Sequence, residues 1–376
     1  MSDILLQQRS RAGQLAAQGR LIEALAEFRQ LEHQERREEA AAGYEGLAMA
    51  WAHGSQLLRA IVACKALLAL EPKHPRVPST LSGLYARPSE SESRPLSPAE
   101  RVPDWGGSVS VPLFTHVGRE DFVALLEAIE VRTYTAGQSV VREGEPGTSM
   151  FFLVEGRADF LRKQESGAKQ AVAAMGEGGV FGELSLVSEG PRLATVVASV
   201  PSVLLELNRT RVAELASRHP RVESVVQAFC RERVVDSLMR THPLFSHLPY
   251  EQKRAVAREF QLQQVEAGRT LLTAGQRGEA IYLLLRGQCT PFHVHPDGRE
   301  TPYPELREGD LFGEISLLLD KPATAMVRTN MPCVLLRLDR AACERHILSQ
   351  PGVRDALMRM GNERLNRTAQ MLADHS

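Results

Sequence analysis

The chain reads Phe181-Gly182-Glu183-Leu184-Ser185-Leu186 and, nine residues after this glutamate, Arg192 within Gly190-Pro191-Arg192-Leu193-Ala194-Thr195. Gly182 permits close approach to the backbone, and a short helix that starts near Glu183 would direct free amide groups and a positive dipole end towards an anion. Arg192 adds a permanent charge and a planar set of donors for a phosphate, while Glu183 can accept hydrogen bonds from a ribose hydroxyl. The segment therefore predicts a pocket for a cyclic phosphate sugar.

The same segment returns as Phe312-Gly313-Glu314-Ile315-Ser316-Leu317, at an offset of 131 residues (313 − 182 = 131). The offset also relates Pro112-Leu113-Phe114 to Pro243-Leu244-Phe245, Gly137 to Gly268, Gly144 to Gly275, Gly156 to Gly287 and Pro191 to Pro322. A constant register of turn glycines and a leading helix, without net insertion, indicates two copies of one fold, each of ordinary domain size.

Both copies resemble the cyclic nucleotide-binding domain family, which includes protein kinase A regulatory subunits, nucleotide-gated channels and bacterial catabolite-activator-type regulators. In that family the segment matching residues 181–196, here called the first cassette, binds the cyclic phosphate. The resemblance assigns the ribose contact to Glu183 and the phosphate contact to Arg192. It also implies an α+β multidomain fold, in which each copy is a β-roll (jelly roll) with flanking helices. The predicted ligand-binding residues are Phe181, Gly182, Glu183, Leu184, Ser185, Arg192, Leu193, Ala194 and Thr195.

The second cassette, residues 312–327, departs from the first at the phosphate position, where Ala323 stands in place of Arg192. Loss of a charge-assisted interaction worth about 1.5–3 kcal/mol lowers affinity roughly ten- to more than hundredfold. Met326 in place of Thr195 removes a hydroxyl, and Arg328 stays a candidate replacement because the sequence does not fix its direction on a strand. The predicted degenerate site comprises Gly313, Glu314, Ile315, Ser316, Ala323 and Thr324.

The preferred base depends on the residue that follows the phosphate arginine. Relatives that prefer cGMP often carry Thr or Ser there, whereas this chain has Leu193, which offers no hydrogen bond. The resemblance therefore favours cAMP as the ligand and leaves cGMP open, and Leu193 has an alternative interpretation as a core side chain. Neither a cofactor nor a metal is predicted.

Residues 1–87 are rich in Ala, Leu, Glu and Arg and predict helices throughout. Two patterns 36 residues apart (48 − 12 = 36) resemble tetratricopeptide helix pairs, and small residues at Ala12, Ala24, Ala48 and Ala60 would let the helices pack closely. A further helix at residues 77–85 would cap the pairs. We expect an interaction module for a protein partner, with a bundle that only dimerises as the alternative.

Residues 88–110 are dominated by Pro, Ser, Glu and Gly and predict a flexible linker that tethers the helical module. Protein kinase A regulatory subunits carry a basic inhibitor sequence in the equivalent place, and none is visible here. The predicted domains are therefore 1–87, the linker 88–110, and two cyclic nucleotide-binding domains at 111–240 and 241–376. In the first of these we expect a helix at 120–131, strands from 133 to 160, and a trailing helix at 210–240 that in the family closes over the base.

Composition narrows the class of protein. The 376 residues carry 45 basic and 46 acidic side chains, so a net charge of −1 implies no general attraction to nucleic acid or to anionic membrane. The five cysteines have no paired spacing and predict reduced thiols in the cytoplasm. No signal peptide and no apolar run long enough to span a bilayer are visible, which excludes the channel branch of the family.

An enzyme is not predicted. His293-Val294-His295 places two imidazoles on one face of a strand, but Pro296-Asp297-Gly298 predicts the end of a hairpin rather than a metal site. The sequence contains no nucleotide-hydrolase phosphate loop and no nucleophile elbow, and no base is placed to activate Ser185.

Three functional classes remain for the chain. The first is a cyclic nucleotide sensor that transmits occupancy of the first cassette to a protein partner. The second is a ligand-independent scaffold built on folded but non-binding β-rolls. The third, a catabolite-activator-type transcription regulator, is disfavoured because residues 351–376 predict one helix, which is short for a helix-turn-helix module. The oligomeric state is left open.

Overall fold

The computed structural model describes residues 3–86, 112–164, 166–246, 248–295 and 297–374. The predicted linker at 88–110 lies outside the described residues, as does Pro296 of the predicted hairpin end. Contacts divide the chain into two compact units, Met1–Cys230 and Arg231–Ser376, and each is described by itself.

Five helices open the first unit, as the composition predicted. They are α1 (Asp3–Ala17), α2 (Leu21–His33), α3 (Arg37–His53), α4 (Leu57–Leu70) and α5 (Arg76–Tyr85). The helix α3 packs against α1, α2 and α4, and the alanines Ala12, Ala24, Ala48 and Ala60 are fully buried. Small side chains therefore lie where the helices approach one another, and α5 coincides with the predicted capping helix at 77–85.

The first β-roll follows these helices in the same unit, and its last helix continues past Cys230, where that unit ends. Its elements are α6 (Pro112–Thr115), α7 (Arg119–Ala128), β1 (Ile129–Tyr134), β2 (Ser139–Val141), β3 (Ser149–Glu155), β4 (Ala158–Lys163), β5 (Lys169–Met175), β6 (Val180–Phe181), α8 (Leu184–Val187), β7 (Thr195–Ala198), β8 (Ser202–Asn208), α9 (Arg209–Ala216) and α10 (Pro220–Thr241). Two antiparallel four-stranded sheets result, in the orders β1-β8-β3-β6 and β2-β7-β4-β5.

Two predicted boundaries in this roll were wrong. The helix predicted at 120–131 ends at Ala128, because Ile129 and Val131 pair with Leu207 and Leu205 of β8 as strand residues. The trailing helix predicted at 210–240 is two helices, α9 and α10. The second begins at Pro220, whose fixed φ and missing N–H suit the first position of a helix.

The second unit repeats the β-roll. Its elements are α11 (Pro243–Ser246), α12 (Tyr250–Glu259), β9 (Gln261–Val265), β10 (Thr270–Leu272), β11 (Ala280–Arg286), β12 (Cys289–Val294), β13 (Glu300–Pro302), β14 (Leu311–Phe312), α13 (Glu314–Leu318), β15 (Met326–Thr329), β16 (Cys333–Asp339), α14 (Arg340–Cys343), a π-helical turn (Glu344–Leu348) and α15 (Pro351–Asp374). The sheet orders β14-β11-β16-β9 and β10-β15-β12-β13 match those of the first roll, which confirms two copies of one fold.

An aromatic pair fixes the strand that leads into each cassette. Phe151 on β3 stacks on Phe181 at 5.2 Å between ring centroids, and at the 131-residue offset Tyr282 stacks on Phe312, also at 5.2 Å. All four side chains are buried, and each pair belongs to the core of its roll. The cassettes therefore start from equivalent anchored positions.

The helical module is docked onto the first β-roll. The N–H groups of Leu21 and Ile22, at the start of α2, donate to the Glu155 carboxylate at 2.6 and 3.2 Å. Arg59 on α4 pairs with the same carboxylate at 3.6 Å and with Glu177 at 3.0 Å. Glu155 thus caps a helix whose own N-cap residue makes no side-chain cap, which stabilises the free N–H groups and the positive end of its dipole.

A second set of contacts joins the module to α7. Lys65 on α4 donates through Nζ to the carbonyls of Leu126 and Glu127, at 2.9 and 3.3 Å, where the last carbonyls of α7 carry partial negative charge. Burial in this contact lowers the pKa of Lys65. The prediction that the helical module is only tethered by a flexible linker was therefore wrong. Ionic contacts between residues about a hundred positions apart leave no periodic signal in a sequence.

The cysteines are buried in both units. All five, namely Cys64, Cys230, Cys289, Cys333 and Cys343, are unpaired thiols. Burial raises the pKa of Cys64 and of Cys343 to about 12. Among the described helices, none is long and apolar enough to cross a membrane.

We expect Glu155→Ala to loosen the docked helices, since α2 loses its cap and Arg59 loses one of its two carboxylate partners. The free energy of unfolding of the first unit should fall by about 1–2 kcal/mol, and amide exchange should accelerate in the first turn of α2. Chemical denaturation and hydrogen exchange measure both effects. Glu214→Ala, an exposed carboxylate on α9, is the matched control. Unchanged exchange at Leu21 and Ile22 would show that Glu155 does not cap the helix.

Candidate functional site

The first cassette begins where β6 ends at Phe181. Gly182 has a φ of +82°, in the left-handed region that favours glycine. A Cβ at this position would lie 2.8 Å from the carbonyl oxygen of Ser149 and 2.9 Å from Nη1 of Arg192. Glycine is therefore required here both by the backbone conformation and by the close approach of the arginine.

Arg192 lies beneath the short helix α8. Its side chain is buried, and Nη1 donates to the carbonyl oxygen of Ser149 at 2.7 Å and to Oγ of Ser185 at 3.0 Å. The guanidinium also lies over the Phe151 ring, 5.7 Å from its centroid. Because β3 and α8 supply the two acceptors, the roll itself orients the guanidinium beside Gly182.

The backbone around Arg192 is bonded on both sides. Its carbonyl accepts from Gly144 N at 2.9 Å, and its N–H donates to the Glu145 carbonyl at 2.8 Å. Gly147 completes this contact, since a Cβ there would lie 2.3 Å from Ser185 Oγ and 3.3 Å from Arg192 Cδ. The sequence signal for this role was the match of Gly147 to Gly278 at the 131-residue offset, which the prediction did not use. The carbonyl of Ser149 is a backbone group, so no sequence signal marks it.

The remaining predicted residues have mixed environments. Thr195 is buried and its hydroxyl accepts from the Glu143 N–H at 3.1 Å, so it joins β7 to the β2 edge. Leu193 is only partly buried, which does not suit a core side chain, and its carbonyl accepts from Arg162 at 3.2 Å. Also partly buried are Glu183, Leu184 and Ala194.

The amides of α8 are partly used within the helix itself. The N–H groups of Ser185 and Leu186 donate to the carbonyls of Gly182 and Glu183, at 3.0 and 3.1 Å. The helix has four residues, Leu184–Val187, and Glu183 occupies its N-cap position. The expectation of free amides aimed at an anion therefore does not extend to Ser185 and Leu186. Arg192 is therefore a stronger indication of an anion site in this cassette than these two amide groups.

At the position of Arg192, the second cassette has the same backbone hydrogen bonds as the first but lacks the arginine. Ala323 makes the equivalent pair of backbone bonds, its N–H to the Gln276 carbonyl at 2.8 Å and its carbonyl from Gly275 N at 2.9 Å. The hydroxyl of Ser316, the equivalent of Ser185, accepts from Gly278 N at 2.9 Å and donates to the Lys321 carbonyl at 2.6 Å. These contacts replace those that the arginine makes in the first cassette.

Arg328 does not replace the missing arginine. It forms a two-pronged ion pair with Glu300 on the neighbouring strand β13, at 3.0 and 3.2 Å, and lies over the Phe292 ring. Its strand neighbour Val327 lines a cavity in the second unit, and alternation along β15 directs Arg328 to the opposite face.

This cavity has a volume of about 680 Å³. All six residues of the predicted degenerate site line it: Gly313, Glu314, Ile315, Ser316, Ala323 and Thr324. Other lining residues come from β12, from the segment after β13, and from α15, which contributes Met360 and Glu363. The structure therefore brings the second-site residues together around one cavity. No group of three or more His, Cys, Asp or Glu residues suited to a metal ion occurs in the described ranges.

Comparison with known proteins agrees with the fold and the two cassettes. The sequence model of the family described as the cyclic nucleotide-binding domain matches residues 131–219 and again residues 262–349. Residues 131–219 and 262–349 are thus two cyclic nucleotide-binding domains in tandem, one in each unit.

The similar curated proteins are kinase regulatory subunits. The cAMP-dependent protein kinase regulatory subunit of Aspergillus niger is 32% identical over 243 residues, which are 62% of this chain and 56% of that protein. The corresponding subunit of Blastocladiella emersonii is 27% identical over 234 residues, again 62% and 56%. A solved regulatory domain of Toxoplasma gondii PKA with cAMP is 23% identical, covers 67% of this chain and 92% of that one, and has a TM-score of 0.34. The chain spans little more than half the length of the curated relatives that it matches.

We expect Gly182→Ala to destabilise the first roll more than Gly137→Ala. Both glycines have a φ of +82°, so both substitutions place alanine in the left-handed region at about 1–2 kcal/mol. Gly137 has open space around its Cβ position, whereas Gly182 faces the Ser149 carbonyl at 2.8 Å, which should add about 1–3 kcal/mol. Denaturant unfolding of the two variants gives the difference directly. Equal losses would mean that the Ser149 carbonyl is not packed against Gly182.

Proposed function

We propose that the chain is a cyclic nucleotide sensor that binds cAMP in the first cassette and acts as a regulatory protein, not as an enzyme. The observation that supports the proposal is the orientation of the Arg192 guanidinium. This group donates hydrogen bonds to the Ser149 carbonyl and to the Ser185 hydroxyl. The match of both rolls to the cyclic nucleotide-binding domain family supports it. So does the similarity to regulatory subunits named for cAMP.

In the proposed complex Arg192 contributes the positive charge for the cyclic phosphate, and Glu183 accepts from a ribose hydroxyl. Gly182 keeps the backbone clear of side-chain atoms at the point of closest approach. Leu193 follows the arginine and is only partly buried, and its side chain offers no hydroxyl to a guanine amino group. This favours cAMP over cGMP.

Strand β3 joins the first cassette to the helical module. Ser149, whose carbonyl contacts Arg192, and Glu155, which caps α2, are the two ends of strand β3. Glu177, which pairs with Arg59, lies five residues before Gly182. We propose that ligand at the cassette changes the contacts of α2 and α4 through these two links, and that the module uses its helices to bind a protein partner.

A second candidate function is a ligand-independent scaffold. The observation in its favour is the second cassette, in which the complete backbone framework persists around Ala323 without the phosphate arginine. A roll can therefore keep its fold after losing that charge. The scaffold function requires that the first cassette also bind no cyclic nucleotide. Titration of the chain with cAMP and cGMP tests this.

We expect Arg192→Ala to weaken cAMP binding by a factor of ten to more than a hundred while leaving the fold intact, because Ala323 occupies the matching position in a folded roll. Calorimetric titration of the full chain with cAMP and cGMP measures affinity and stoichiometry, and one cyclic nucleotide per chain is expected. Arg157→Ala, at a largely exposed arginine paired with Asp159, is the matched control. Wild-type affinity in Arg192→Ala, or two equivalent sites in the native chain, would contradict the assignment.

We also expect cAMP to alter amide exchange beyond the pocket. Protection should increase across residues 181–196 and should change along α9, α10 and the first turn of α2, because β3 joins the cassette to the cap of that helix. In Glu155→Ala the response at α2 should disappear while the response at the cassette persists. A response confined to the cassette in the native chain would indicate passive binding without a switch.

A further inference from the structure

The cavity of the second unit has the dimensions of a small-molecule site. Its volume of about 680 Å³ lies within the range of roughly 300–1,000 Å³ that is usual for such sites. Its walls combine apolar side chains, among them Leu306, Phe312 and Met360, with a few polar groups. This combination is typical of pockets in which polar contacts set the orientation of a largely buried ligand.

The charge of the lining is unsuited to a phosphate. Glu305, Asp310, Glu314 and Glu363 line the cavity, and among its lining residues there is neither lysine nor arginine. Asp310 accepts from the Arg307 N–H at 2.7 Å, a backbone contact that brings no cation. A monoanionic cyclic phosphate would therefore meet like charge in a partly enclosed, low-dielectric space.

The second cassette keeps the two residues that match the predicted ribose-binding part of the first cassette. Gly313, with a φ of +86°, and Glu314 match Gly182 and Glu183 at the 131-residue offset, and Glu314 is buried on the cavity wall. A carboxylate at this place is an acceptor for hydroxyl donors. Two flat rings, His293 and Tyr303, also line the cavity with their centroids 6.4 Å apart, and these are surfaces against which a planar base can pack.

We propose that the second cavity binds an uncharged nucleoside, with the ribose hydroxyls donating to Glu314 and the base packed near His293 and Tyr303. Loss of the phosphate contact at Ala323 together with an acidic lining excludes the cyclic nucleotide and keeps the sugar site. The proposal rests on the proposed function, because the ribose role of Glu314 is carried over from Glu183 by the repeat.

The test uses the full chain carrying Arg192→Ala, so that the first cassette does not contribute to the signal. Adenosine, guanosine and uridine are titrated by calorimetry, beside cAMP and 5′-AMP. At least one nucleoside should bind with one site per chain, and cAMP and 5′-AMP should bind at least about tenfold more weakly, because each adds negative charge. No nucleoside binding up to about 1 mM, or cAMP binding as tight as the nucleoside, would overturn the proposal.

Variants of the cavity make the assignment specific. Glu314→Gln should weaken nucleoside binding about tenfold or more, and Thr324→Trp, at an exposed lining position, should block the cavity without changing a buried group. Glu279→Gln, an exposed carboxylate outside the lining, is the control. Ala323→Arg should raise cAMP affinity at this site at least tenfold, since Ala280 and Ser316 occupy the positions equivalent to Ser149 and Ser185, which orient Arg192.

The outcomes separate the two proposals. If the native chain binds cAMP through Arg192 but neither the native chain nor the Arg192→Ala chain binds a nucleoside, the second-cavity proposal fails and the sensor proposal stands. Nucleoside binding that persists unchanged in both Glu314→Gln and Thr324→Trp would place the ligand elsewhere and would also overturn the second-cavity proposal. If the native chain binds no cyclic nucleotide, the sensor proposal fails, whatever the nucleosides do.

Discussion

Strand β3 is the element on which the first unit depends. Residues 149–154 of this strand are buried and pair with β8 on one side and β6 on the other. The Ser149 carbonyl at one end positions Arg192, and the Glu155 carboxylate at the other end caps α2, roughly 20 Å away at the usual rise per residue. β8 pairs with this strand from Ser149 to Glu155, with a register shift between Leu153 and Glu155, and β6 pairs with Phe151 and Phe152. The separation between the charged site and the docked helices is therefore set by the most buried part of the roll.

The two rolls share backbone hydrogen bonds but carry different charged side chains at equivalent positions. The bridges Pro146 to Pro191 and Arg277 to Pro322 coincide at the 131-residue offset, and so do the backbone bonds around Arg192 and Ala323. Backbone bonds of this kind do not need a particular side chain, so the second cassette keeps its shape after losing the guanidinium. The carboxylate that caps α2 is likewise absent from the second roll, because the equivalent of Glu155 is the buried Arg286. One copy therefore retains the charged site and a docking surface for helices, and the other retains a cavity.

The features predicted correctly from sequence are those that repeat or that have a local period. The constant offset was enough to predict two β-rolls, and helical composition was enough to predict the first five helices. The prediction failed where contacts join distant residues: the ionic docking through Glu155 and Lys65, and the Ser149 carbonyl beneath Arg192, which has no side-chain signature. The helix boundary at Ala128 was missed because Ile129 and Val131 also fit an apolar helix face, and only pairing with β8 separates the two interpretations. The direction of Arg328 required the ion pair to Glu300.

Buried thiols of the chain report local unfolding through their rates of alkylation. A thiolate is the reactive species, so a thiol whose pKa is raised to about 12, as at Cys64 and Cys343, reacts with an alkylating reagent near neutral pH chiefly when its surroundings open. Cys64 lies on α4 of the docked module, Cys230 on α10 of the first unit, and Cys343 beside the second roll. Burial also raises the pKa of Cys230, so the rate at which each of these three thiols is alkylated records how often its own part of the chain unfolds. A cysteine introduced at the surface would react far faster and remain distinguishable from all five.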